Sequence, residues 1–163
     1  MRRWIVLVLA VVCLLVARVV GATNVTVHNN NESNAHRAVS GPTLVCVSPS
    51  TCYQVYIDAL DSDLKYRKTI NAGASWQSAV IIKGGITAVQ LAIWYDKWTP
   101  ADTATKIHVV YAESANDDLF YNYVDTGASD AMGTERTVFA GTVFTGASNF
   151  RTQIAKSRPS SAG

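Results

Sequence analysis

Trp94, Tyr95 and Trp98, with Asp96 and Lys97 among them, form the densest aromatic stretch of the chain. A sugar ring offers apolar C–H faces and a polar rim, so an aromatic platform flanked by hydrogen-bonding groups suits carbohydrate. Trp98 is the better ligand-binding candidate, because Pro100 ends the strand beside it and a polar loop follows over residues 101–105. Strand alternation favours Trp94 for packing between neighbouring sheets. Asp96 and Lys97 would supply the polar rim. Tyr111 and Glu113 share one face of a strand that also carries His108, and such a pair could move protons, but a solvated strand-end glutamate is the commoner explanation of Glu113. Asp58, Asp61 and Asp63 could offer oxygen to a hard cation, but the spacing lacks the glycine and distal glutamate of a helix-flanked calcium loop, and polar turn residues explain the cluster. His28, His36 and His108 stand beside no serine or cysteine nucleophile motif, and Gly84 with Gly85 is not a phosphate loop. No catalytic residue is assigned, and neither a metal site nor a cofactor is expected.

What must position these residues is a folded domain. The 163 residues are 48% apolar and 16% charged, which excludes a wholly disordered chain. Three of the 14 basic residues, Arg2, Arg3 and Arg18, fall in the first 22 positions, where no acid occurs; without them the balance against 12 acids turns slightly negative. No clustered basic face remains for nucleic acid. Arg2 and Arg3 followed by the apolar run Trp4 to Ala17 and by Val20, Gly21 and Ala22 read as a secretory signal peptide over residues 1–22. The alternative is a retained anchor helix, with the remainder outside; a membrane is a partner only in that case. Residues 23–43 are polar and asparagine-rich, a stalk or linker carrying two N-glycosylation triplets at Asn24 and Asn31. Export agrees with the cysteines. Cys46 and Cys52 enclose Pro49 and Ser50, which could turn a small disulfide ring; two reduced, buried cysteines on adjacent strands are the alternative.

From residue 44 the chain is an all-β text: short runs of Val, Ile, Tyr, Phe and Trp separated by Gly, Asp, Asn and Ser. The expected strands are Thr43–Val47, Tyr53–Ala59, Leu64–Thr69, Gln77–Ile82, Val89–Tyr95, Lys106–Glu113, Leu119–Val124, Thr137–Ala140 and Phe150–Ser157, a meander of antiparallel hairpins. The pattern repeats. Tyr53 to Asp58 is answered by Ile107 to Ala112, and Asn71 to Ser75 by Asp125 to Ser129, each 54 residues later. A period near 50 in an all-β chain points to stacked four-stranded units, with propeller blades leading.

Thr69, Asn71, Gly73, Ser75 and Trp76 resemble the Asp-box, or BNR repeat, of the sialidase superfamily, whose pattern is Ser/Thr-x-Asp-x-Gly-x-Ser/Thr-Trp. Asn71 stands for the aspartate, and its side-chain oxygen can still accept backbone hydrogen bonds. A degenerate second box keeps Asp125, Gly127 and Ser129, with Tyr123 and Asp130 replacing the hydroxyl residue and the tryptophan. The resemblance implies a hairpin turn between the outer strands of a blade, with Gly73 at positive φ, residue 71 capping the turn and Trp76 packed between sheets.

By this resemblance the chain is an open fragment of a sialidase-like β-propeller: blades at about 44–88 and 89–141, and the start of a third over 148–163. Propellers need roughly four to eight blades to close. The implied function is a secreted or extracytoplasmic segment that recognises glycans or is structural. Two alternatives are a piece of an exo-sialidase-type glycoside hydrolase whose catalytic residues lie in other blades, and a surface scaffold that self-associates through open blade edges. Sialidases use a tyrosine nucleophile and an arginine cluster. Arg67, Arg136 and Arg151 are too scattered to be assigned that role.

Overall fold

A computed structural model describes residues 42–58, 60–85, 88–113, 118–141 and 152–157. The expected signal or anchor segment and nearly all of the stalk lie outside these residues. The described chain is all-β, in two antiparallel sheets. The first is a four-stranded meander of β1 (Leu44–Cys46), β2 (Cys52–Asp58), β3 (Asp63–Thr69) and β4 (Val80–Lys83), paired in chain order. The second holds β5 (Ala88–Tyr95), β6 (Lys106–Glu113), β7 (Asp118–Asp125), β8 (Ala131–Met132) and β9 (Arg136–Phe139); β5 to β8 follow in order, and β9 also pairs with β7.

Period-two patterning decides the packing. Tyr53, Val55 and Ile57 of β2 and Leu64 and Tyr66 of β3 point to one side of the first sheet; Leu91, Ile93 and Tyr95 of β5 and Ile107, Val109 and Tyr111 of β6 point to one side of the second. All belong to one buried cluster, so the sheets pack face to face. At roughly 1.5–3 kcal/mol for each large apolar side chain removed from water, this face dominates the stability of the pair. β6 is also buried on its other side: Val110 and Ala112 are covered, as are Gln90 and Ala92 of β5. That explains why β6 reads as a nearly continuous apolar run rather than a clean alternation.

Cys46 and Cys52 are direct cross-strand partners of β1 and β2 and are joined by a disulfide. The ring contributes about 2 kcal/mol by the chain-entropy model. The aspartate cluster surrounds a lysine ammonium. Lys65 of β3 sets its ammonium 3.1 Å from Asp58 and 3.6 Å from Asp63, and against Asp61. Burial works against that charge, but hydrogen bonds to Asp61 and Asp58 outweigh it and raise the lysine pKa. No group of metal-binding side chains occurs among the described residues.

Eight of the nine expected strands form within one to three residues of their expected ends. The exception is Phe150–Ser157: its described part, 152–157, runs without ladder pairing and is held by side-chain contacts instead. β8, two residues long, carries no sequence signal.

Candidate functional site

The Thr69–Trp76 segment makes the turn between β3 and β4. Asn71 Oδ1 accepts from the Thr69 hydroxyl at 2.9 Å and from the Ser75 N–H at 2.9 Å, while its Nδ2 donates to Ser75 Oγ at 2.8 Å. Gly73 has φ +88°, preceded by Ala72 at +57°. Asn71 thus caps the turn, and its amide makes a bond to Ser75 that a carboxylate could not donate. Trp76 differs from expectation: it is half-buried and stands outside the buried cluster. Tyr53 and Tyr66, with ring centroids 5.8 Å apart, belong to that cluster.

The segment from Asp125 to Ser129 makes the matching turn between β7 and β8, by the same backbone plan. Ala72 N–H donates to Ser50 O and Thr126 N–H to Thr105 O; Ala74 N–H donates to Asn71 O and Ala128 N–H to Asp125 O. The conformations diverge beyond that. Positive φ falls on Ser129 and Asp130, and Gly127 is needed for room: a Cβ there would sit 2.5 Å from Thr105 Oγ1.

The aromatic stretch closes β5. Asp96–Trp98 is a single 3-10 turn, its end marked by the Thr99 N–H bonded to Asp96 O. Trp94 and Trp98 meet edge to face, centroids 5.7 Å apart, and Trp98 also lies edge-on to Tyr95 at 6.5 Å. Trp94 Nε1 donates to Thr99 Oγ1 at 3.0 Å, which fixes the indole. The two tryptophans border a cleft of about 240 Å³, completed by Ala92, Ile93 and Pro42 and by Gln153 and Ile154 of the C-terminal segment.

The three ligand candidates separate. Trp98 stands at the cleft. Lys97 is exposed. Asp96 is fully buried and cannot meet a ligand: its carboxylate accepts from Lys106 N–H at 2.7 Å, from His108 Nε2 at 2.8 Å and from the Lys156 ammonium. Lys156 also pairs with Asp102 at 2.6 Å. Burial pushes the Asp96 carboxyl up, but the hydrogen bonds from Lys156, His108 and Lys106 prevail and hold it below the usual carboxylate range. Hydrogen bonds to Asp102 and Asp96 raise the Lys156 pKa in turn.

Asp96, a carboxylate, only accepts, so in the neutral imidazole His108 Nε2 carries the proton and Nδ1 the lone pair. The Tyr121 hydroxyl lies 2.7 Å from Nδ1 and, in that tautomer, donates to it. The Tyr121 and His108 rings stack at 5.8 Å, and burial raises the phenol's pKa. Asp96, His108 and Tyr121 are therefore one hydrogen-bonded chain beside the cleft, since Trp94 is the direct cross-strand partner of His108.

The Tyr111 and Glu113 pairing does not form through the phenol, which bonds Glu135 instead; Lys83 binds the same carboxylate at 2.8 Å. Burial and Glu135 together raise the Tyr111 pKa, so the phenol is a structural donor. Sequence reading missed Trp94 as a cleft wall, gave His108 no role, and missed Tyr121, Gln153 and Lys156. The available signal was hairpin register: pairing β5 with β6 and β6 with β7 puts Trp94, His108 and Tyr123 in one row on one face.

Compared with known protein families, curated proteins and solved structures, the chain matches none.

Proposed function

We propose that this chain is a glycan-recognising module of sialidase-like blade architecture, working outside the cytoplasm, with the Trp94 and Trp98 cleft as its sugar platform. One observation carries the sugar reading: two tryptophans fixed edge to face border a small cleft, with Gln153 among the residues that line it. An indole face suits the C–H face of a pyranose, and an amide suits its hydroxyls. The blade reading draws support from the repeated turn contacts and from the order of layers. The first sheet covers one face of the second, and residues 152–157 run against the opposite face, where a third blade would stack. The disulfide fits an oxidising compartment.

Isothermal calorimetry of the full chain with neutral and acidic oligosaccharides tests the sugar reading. Saturable binding that Trp98→Ala weakens at least tenfold is expected. Heat that is unchanged by Trp98→Ala, or absent throughout the panel, overturns it.

Self-association is the second reading, favoured by the exposed apolar residues of two strands at sheet edges, Val80 and Ile81 on β4 and Val138 and Phe139 on β9. It predicts a concentration-dependent sedimentation coefficient that Val138→Lys abolishes; a concentration-independent monomer removes it.

A further inference from the structure

We infer that Tyr121, His108 and Asp96 form a nucleophile, base and positioning group for acyl transfer from carboxylic esters. The three side chains meet the geometric requirement for an activated hydroxyl. The nucleophile's hydroxyl oxygen lies 2.7 Å from the base, which takes up its proton in the Nε2–H tautomer, and the base is held from its far nitrogen by a buried carboxylate at 2.8 Å. Asp96 needs no further partner to stay ionised, because Lys156 and the Lys106 N–H neutralise and orient it. Tyr121 is half-exposed on the face opposite the core, so an ester can reach it.

A phenol that burial keeps protonated is not thereby disabled. Serine hydroxyls are weaker acids than any tyrosine here needs to be, and they react because a neighbouring imidazole takes the proton as the bond forms. Arg136 is the direct cross-strand partner of Tyr121 and therefore shares its face; its guanidinium acts on the phenol electrostatically. It is the group placed to meet a developing oxyanion.

In the first step Tyr121 Oη bonds to the ester carbonyl carbon, its proton passes to His108 Nδ1, and the carbonyl electrons move onto oxygen. Collapse breaks the bond to the alkoxy oxygen, which leaves as alcohol with the proton from His108. Water, deprotonated by His108, then attacks the acyl-tyrosine; the carboxylic acid departs and the phenol regains its proton. The sum is ester plus water giving acid plus alcohol. Tyr121 and His108 are the catalytic residues, and Asp96 is a positioning residue. An O-acyl group on a sugar fits the site, because Trp94 borders both the cleft and His108; only that last identification rests on the sugar reading.

The test is p-nitrophenyl acetate with the full chain, which carries no sugar and so separates this inference from the calorimetry. A p-nitrophenolate burst stoichiometric with protein is expected, with an acetyl adduct mapped to Tyr121 by tandem mass spectrometry. Tyr121→Phe keeps the ring stack on His108 and should slow acylation at least about a hundredfold. Asp96→Asn should slow it as well and move the His108 nitrogen shifts toward the Nδ1–H tautomer, a signature that mere loosening does not produce. Near-UV circular dichroism reports whether each variant folds. A burst that persists in Tyr121→Phe, acetyl groups found on lysines alone, or no burst in the folded wild-type chain overturns the inference.

Discussion

Tyr53 Oη donates to Asp130 Oδ1 at 2.5 Å although 77 positions separate the two residues. The bond runs from the core strand of the first sheet to the turn of the second, and Lys68, the cross-strand partner of Tyr53, binds the other carboxylate oxygen at 2.7 Å. Tyr111, Glu135 and Lys83 repeat the device. In both, a core phenol and a lysine from the first sheet's β3 or β4 share one acid from residues 130–135. The apolar interface between the sheets is non-directional; these clamps fix their register.

Asp130→Ala should therefore cost more than Tyr53→Phe. The first leaves a buried phenol without its acceptor and costs about 1–3 kcal/mol; the second removes one hydrogen bond and costs about 1 kcal/mol. Urea unfolding of the two variants and the double mutant measures the difference. Equal costs that add in the double mutant contradict the clamp.

Two glycines at matching places in the repeat should fail for different reasons. Gly73→Ala meets no atom within 4 Å but must hold φ +88°, a strain of about 1–2 kcal/mol that no neighbouring substitution relieves. Gly127→Ala drives a Cβ into Thr105, so Thr105→Ala should recover part of its cost. Thermal melts of both alanine variants, each with and without Thr105→Ala, read the contrast.

Asn71→Ala deletes the acceptor for Thr69 and Ser75 and should cost about 1 kcal/mol, read by urea unfolding. Asn71→Asp keeps both bonds and loses only the donation to Ser75, so it should lie within about 0.5 kcal/mol of wild type.

The pH dependence has two limbs. Asp96 and Glu135 have folded pKa values below their ordinary 3.8 and 4.5, so their contribution is present above those values and is lost as pH falls through the folded ones. Tyr53 and Tyr111 are raised above 10.0, so theirs is present below that value and is lost as pH climbs beyond it. Urea midpoints should therefore fall below about pH 4 and again above about pH 10, with Tyr111→Phe flattening part of the alkaline limb.

The strands and the repeat were legible because both depend on local pattern: alternation of Tyr53, Val55 and Ile57, and the recurrence of Asn71 to Ser75 as Asp125 to Ser129. The site was less so, because its chemistry is assembled across hairpins. Nothing local to Asp96 announces that it will be buried; its partners arrive from β6 and from Lys156, 60 positions on. Trp76 shows the opposite failure. It was expected between the sheets, and it is half-buried and outside the buried cluster.

In the proposed function a sugar ring rests on Trp98 and Trp94. Indole N–H resonances in a proton–nitrogen correlation spectrum, followed while the tightest oligosaccharide of the calorimetric panel is added, test it most directly. The Trp98 and Trp94 signals should move together and saturate at the calorimetric affinity, with Trp76 unmoved. Stationary Trp98 and Trp94 signals at saturation, or a shift confined to Trp76, contradict it.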